Sequence, residues 1–134
     1  MMRKSISLSW RRIPERYRLL GCKCVNCSTT YFPTRQICPK CRRKGKLESM
    51  NFSGEGEVYS YTLISAPPIG FERQVPYVLA IVKLKEGAKI NAQIVDVKID
   101  DVKIGFPVER VFRIIQKDDP EGLIHYGTKF KLKK

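Results

Sequence analysis

Histidine is nearly missing from these 134 residues, His125 being the only one. That scarcity argues against a His-rich catalytic metal site and against histidine-centred acid–base chemistry. Long apolar runs are missing as well. The longest, Val78 to Val82, is far shorter than the roughly 20 residues a membrane-spanning helix needs, and the N-terminus has no apolar signal-peptide core. A cytosolic location is therefore expected. No P-loop, G-x-S-x-G elbow, Gly-rich dinucleotide fingerprint or paired-carboxylate context occurs in the chain. Acidic residues are scarce on one side only. Residues 1–46 carry 13 Lys and Arg against the single acid Glu15, whereas residues 47–134 carry 13 against 12 acids.

What is present is a composition of 43% hydrophobic and 29% charged residues, with a formal charge of +13. This is a globular balance with a core large enough for one domain or two small modules. The positive surplus should attract an anion: nucleic acid, a phosphorylated cofactor or an acidic partner. Its confinement to the N-terminal third places that docking surface there. A solvated basic face kept for solubility is the plainer alternative.

The densest motif is GCKCVNCSTTYFPTRQICPKC, in which Cys24 and Cys27 form one C-x-x-C and Cys38 and Cys41 another. In a reducing compartment such pairs are metal ligands rather than disulfides. Two knuckles of this spacing gather four thiolates around one ion, with backbone N–H groups aimed at the sulfurs. Zn²⁺ is the expected ion and iron the alternative. A closed set of four cysteines leaves no open coordination position, so the site is expected to be structural. Four thiolates and one divalent ion would lower the net charge from +13 to about +11. Cys22 is a spare thiol by this spacing, although a C-x₄-C arrangement would let it replace Cys24.

Upstream, Trp10, Ile13, Tyr17 and Leu20 recur at helical spacing. With Pro14 suited to a first-turn position, one or two short helices are expected between residues 7 and 20. Their aromatic stripe would pack on the protein's own body or form a docking arm. Downstream, strands are expected over Val58–Ile64, Tyr77–Lys85, Lys89–Val97, Val108–Ile115 and Leu123–Leu132. Five such segments without helices between them point to a small OB-fold barrel. The segment 65–76, SAPPIGFERQVP, reads as a stiffened loop that either binds ligand or covers one barrel end with Phe71 tucked in. Asp100-Asp101 and Asp118-Asp119 look like turn residues, and His125 a packed or surface one. The organisation expected is a basic helical lead over 1–20, a rubredoxin-like zinc ribbon over 21–46 and an OB-fold domain over 47–134, mainly β.

The order of motifs, RxxPERYRLLGxKC, YFPxRxxCPxC, GEGEVYSYT, VPYVLAIVKLKEG and IGFPVERVF, resembles a family of zinc-ribbon/OB-fold proteins. That family was long filed as a domain of unknown function and is associated with acyl-CoA metabolism. Arg16, Tyr17, Leu19, Gly21, Lys23 and Cys24 stand at its characteristic positions, as do Tyr31, Phe32, Pro33, Arg35, Cys38, Pro39 and Cys41. Two departures are Ser28 in place of the usual glycine and the additional Cys22. The resemblance implies a non-catalytic subunit that binds thiolase-superfamily enzymes, including acetoacetyl-CoA thiolase and hydroxymethylglutaryl-CoA synthase, and that holds the CoA part of an acyl-CoA. CoA phosphates suit arginine. The contacts expected are Arg11, Arg12, Arg16, Arg35, Arg42 and Arg43, with Phe71 or Tyr31 as a stacking surface for adenine. Nucleic-acid binding is the alternative function, since ribbons and OB-folds both serve it. It is disfavoured by the near-neutral barrel segment and by Glu55, Glu57 and Glu72. A thiol reaction at Cys22 lacks an activating base in the sequence.

Overall fold

The computed structural model describes residues 5–117 and 121–133; Asp118-Asp119 fall outside the described residues. Two compact units divide the chain, the first running to Phe52 and the second from Ser53.

The first unit opens with α1 (Ile6–Arg11) and α2 (Ile13–Arg18). Ser5 caps α1, its Oγ accepting the Leu8 N–H at 3.3 Å. One continuous helix over this stretch is not formed. Arg12 leaves helical geometry at φ −91°, ψ 0°, Pro14 falls in the first turn of α2, and Leu19 ends it in the left-handed region. Proline has no N–H to offer the carbonyl four residues back, here that of Trp10, and its ring crowds that carbonyl, yet it suits a first turn, so the break falls where Pro14 dictates. The expected stripe is thereby divided. Trp10 is 75% exposed, Leu20 has passed into the next strand, and Leu19 is the fully buried residue.

The chain continues into β1 (Leu20–Cys24), the central strand of a three-stranded antiparallel sheet with β2 (Thr30–Tyr31) on one side and β3 (Leu47–Asn51) on the other. Residues 47–51, which the sequence groups with the barrel, thus belong to the ribbon: Leu20 pairs with Asn51 and Cys24 with Leu47. Gly21 sits in the middle strand because its face is covered. A Cβ there would meet the Phe52 ring at 2.4 Å and the Tyr31 carbonyl oxygen at 2.5 Å.

The second unit is a closed five-stranded barrel. Its strands are β4 (Glu55–Ile64), β5 (Tyr77–Leu84), β6 (Lys89–Val95), β7 (Pro107–Lys117) and β8 (Ile124–Leu132), in the spatial order β4-β5-β6-β8-β7. This is the OB-fold closure, with β6 and β8 parallel and the other pairs antiparallel. Alternation sets the core: Val78, Ala80, Val82 and Leu84 of β5 point inward against Val58, Ile94, Val108 and Phe130. The long β4 is shared, pairing with β7 over Glu55–Glu57 and with β5 over Gly56–Ile64, with a bulge between Val58 and Ser60. A short 3₁₀ turn at Ile99–Asp101 includes Asp100-Asp101 and leads to Val102, which is buried. Loop 65–76 is tied to β7 and β8 through Gln74, whose Nε2 donates to the Ile115 carbonyl at 2.9 Å and whose Oε1 accepts from Lys129 Nζ at 3.2 Å.

Candidate metal centre and the basic surface around it

Cys24 ends β1, and the chain after it turns back at once: Ser28 N–H donates to the Cys24 carbonyl at 2.8 Å and Cys24 N–H to the Thr29 carbonyl at 2.9 Å. The second knuckle repeats the pattern, with Arg42 N–H donating to the Cys38 carbonyl at 2.8 Å. In both, the residue after the second cysteine adopts left-handed backbone, Ser28 at φ 60° and Arg42 at φ 52°. Glycine would take this conformation at less cost, which explains why Ser28 stands out as a departure. Gly45 packs beneath the second knuckle, where a Cβ would lie 2.7 Å from Cys38 Cβ and 3.0 Å from Cys41 Cβ.

These turns bring the sulfurs of Cys24, Cys27, Cys38 and Cys41 within 4.8 Å of one another. Cys24 and Cys41 Sγ are 3.9 Å apart, and Cys27 and Cys38 Sγ 3.6 Å. A tetrahedron with metal–sulfur bonds of about 2.3 Å has sulfur–sulfur edges of about 3.8 Å, so the donor set fits a tetrahedral ion.

The surroundings prepare these sulfurs for negative charge. The Tyr31 hydroxyl lies 3.4 Å from Cys38 Sγ, and the Asn26 amide donates to Cys41 Sγ at 3.2 Å. The Cys38 thiol is pulled down to about 6, first by the Tyr31 hydroxyl; burial opposes this, and the backbone N–H groups of Cys41 and Lys40 add to it. The same bond pushes the Tyr31 phenol up to about 12. Thr29 lowers Cys27 through both its hydroxyl and its backbone. At Cys41 the Asn26 amide lowers the pKa, but neighbouring thiols and burial outweigh it and hold the group at about 11. Neither Tyr31 nor Asn26 is marked as a sulfur partner by the cysteine spacing. Their roles arise from the turn after Cys24 and from the β1–β2 pairing.

Cys22 is not in this cluster. It is buried in β1, and its sulfur accepts the Arg35 N–H at 3.3 Å.

The arginines expected to meet phosphates occupy different places in the first unit. Arg11 and Arg12 lie exposed at the junction of the two helices, and Arg42 and Arg43 lie exposed on the second knuckle. Arg35 is also exposed, its guanidinium 5.3 Å from the centre of the Tyr31 ring. That arrangement occupies a Tyr31 face otherwise suited to stacking. Arg16 has a structural bond, its Nη2 donating to the Ser9 carbonyl at 2.7 Å and tying α2 to α1. Phe71 belongs to the barrel unit and packs against Tyr77, with ring centres 6.0 Å apart. His125 stands in β8 opposite Gln116.

The barrel offers less to an anion. A cleft of about 430 Å³ beside the start of β4 is lined by Lys83, Lys85 and Lys133 but also by Glu55 and Glu57. Glu55 bridges Lys133 at 2.8 Å and Lys85 at 3.8 Å. Among the described residues, no helix is long and apolar enough to cross a membrane.

Comparison with known proteins bears on both units. Residues 11–48 match the ChsH2 rubredoxin-like zinc ribbon domain, and residues 51–113 the ChsH2 C-terminal OB-fold domain. A DUF35 domain-containing scaffold protein of Methanocaldococcus jannaschii is 55% identical over 128 residues, 96% of this chain and 91% of the relative. A probable enoyl-CoA hydratase alpha subunit of Thermomonospora curvata is 34% identical over 100 residues, 74% of this chain but 30% of that longer protein. Among solved structures, the Ltp2-ChsH2(DUF35) aldolase superposes with a TM-score of 0.70 at 28% identity, covering 98% of this chain and 96% of the other. Ribbon, barrel and near full-length identity agree: the chain belongs to the family of DUF35 domain-containing scaffold proteins.

Proposed function

We propose that this protein is a non-catalytic accessory subunit that holds a structural Zn²⁺ through Cys24, Cys27, Cys38 and Cys41 and binds a thiolase-superfamily enzyme. Acetoacetyl-CoA thiolase and hydroxymethylglutaryl-CoA synthase are the partners to test. Of the exposed arginines of the first unit, Arg35, Arg42 and Arg43 meet the phosphates of an acyl-CoA, and Arg11 and Arg12 are left to contact the enzyme itself. The observation that carries this reading is the separation of charge from chemistry. Cationic side chains crowd the ribbon unit, while the cysteine set there is closed to substrate. Support also comes from the relatives: one is named a scaffold, one carries an enoyl-CoA hydratase name, and one solved neighbour pairs a DUF35 chain with an aldolase.

Co-expression with the acetoacetyl-CoA thiolase and hydroxymethylglutaryl-CoA synthase of the same organism tests it. A stable complex that raises the affinity for acetyl-CoA, with the isolated chain turning over no substrate, is the expected outcome. Recovery of the chain bound to nucleic acid at high salt, with no complex formed, rejects it. Titration of single-stranded DNA at several salt concentrations gives the same answer independently, because phosphate binding carries a steep salt slope.

A further inference from the structure

Helix α1 buries none of its residues. Ile6 and Trp10, one helical turn apart and hence on one face, are 71% and 75% exposed, and Leu8 is 45% exposed. Six residues are too few for a helix to persist on propensity alone, the usual threshold in water being about 12–15. What holds α1 is local: the Ser5 cap, and the Arg16 bond to the Ser9 carbonyl, which spends a cation on fixing the angle between α1 and α2. A helix tied in place while its largest apolar side chains face solvent is presented rather than packed.

The charged residues of α1 and its C-cap are of one sign. Arg11 and Arg12 follow Trp10 directly, both exposed and without an ion pair among the described residues. Exposed apolar side chains next to guanidinium groups that form no ion pair are complementary to an apolar groove with a carboxylate rim. A second copy of the chain, itself at +13, would set like charge against like. A bilayer surface takes up helices by one continuous apolar face, and Leu8, two residues from both Ile6 and Trp10, projects away from theirs.

We infer that α1 is a docking helix, with Trp10 as its anchor and Ile6 beside it, and that it seats in an acid-rimmed apolar groove on the enzyme partner. The inference rests on the accessory-subunit reading and specifies which element makes the contact. Tryptophan and arginine are the residues most often found at the energetic centre of such interfaces.

Trp10 is the only tryptophan, so the full-length chain labelled with 5-fluorotryptophan gives one ¹⁹F resonance from the proposed anchor. Complex formation with the purified thiolase and synthase is measured first, by calorimetry. The resonance is then followed on adding whichever enzyme binds. The expected result is a shifted or broadened signal, binding weakened at least about tenfold by Trp10→Ala, and a comparable loss in the double variant R11E/R12E. Both variants alter exposed residues, and unchanged zinc content and thermal unfolding show that they fold. If a complex forms but the resonance does not move and the variants bind as well as wild type, the docking helix is wrong while the accessory reading stands. If no complex forms with either enzyme, both fall. A shift that appears on adding anionic phospholipid vesicles, or on concentrating the chain alone, overturns the inference in favour of a bilayer or of self-association.

Discussion

The hydroxyl of Tyr31 sits 3.4 Å from the sulfur of Cys38, and it is the leading reason that this thiol ionises near 6 rather than at its ordinary 9.0. A depressed acid contributes stability that is present above its unfolded pKa and is lost as pH falls through the folded one. Tyr31→Phe should move that loss to higher pH. Zinc released to a colorimetric chelator during acid titration should come off at a higher midpoint than in wild type. Affinity at neutral pH should fall by about 10- to 100-fold, as for other outer partners of metal ligands. An unchanged midpoint would show that the hydroxyl does not tune the sulfur.

Metal removal should separate the two units. Structural zinc contributes on the order of 10–16 kcal/mol to the folding of comparable small ribbons, whereas the barrel has its own core in Val58, Val82, Leu84, Val108 and Phe130. Hydrogen exchange after treatment with a strong chelator should show residues 20–51 losing protection while β4 to β8 retain theirs. Simultaneous loss in both units would contradict independent cores.

Two glycines should resist replacement for reasons of space alone. Gly45→Ala pushes a methyl group against Cys38 and Cys41, and Gly21→Ala pushes one into the Phe52 ring and the Tyr31 carbonyl. Overpacking of this kind costs about 1–3 kcal/mol. Gly45→Ala should weaken metal binding more, since it alone presses directly on ligands. Thermal unfolding together with a zinc competition assay distinguishes the two.

Lys129 should make the barrel more stable in mild alkali. Burial lowers the pKa of its amine, with Arg113 adding repulsion, below the ordinary 10.5. In the window between the folded value and 10.5, the unfolded chain holds more protons, so stability rises with pH there. Lys129→Met should flatten this rise, and it removes the donor to Gln74 that helps to hold loop 65–76. Melting curves taken across that window check the slope.

The parts of the fold legible in the sequence are those whose patterns are local. Tyr77–Leu84 alternates buried and half-buried side chains over most of its length, and the two cysteine pairs carry their spacing openly. β3 was hidden because Leu47–Asn51 has only half-buried and exposed positions, and its partner β1 lies some two dozen residues earlier. Period alone could not divide the helical lead at Arg12, where the missing N–H and the ring of Pro14 decide the break. Nor could it show that Trp10 would remain bare. Around the metal centre, ligand identity follows from spacing, whereas the contacts of Tyr31, Asn26 and Gly45 depend on how the chain folds back after each knuckle.

The barrel is closed by a narrow seam. β6 and β8 meet in parallel over Ile94 with Phe130 and Val95 with Lys131, and Phe130 is wholly buried there. During synthesis, all the ribbon's strands and cysteines emerge before β4 begins, so that unit can take its metal while still attached to the ribosome. The barrel must wait for its last strand. Until β8 is released, β6 has an unpaired edge and the pocket for Phe130 stands open. The nascent chain is therefore most exposed to aggregation between the emergence of β6 and that of β8, and a ribosome stalled between β7 and β8 would display a finished zinc module joined to a barrel that cannot close.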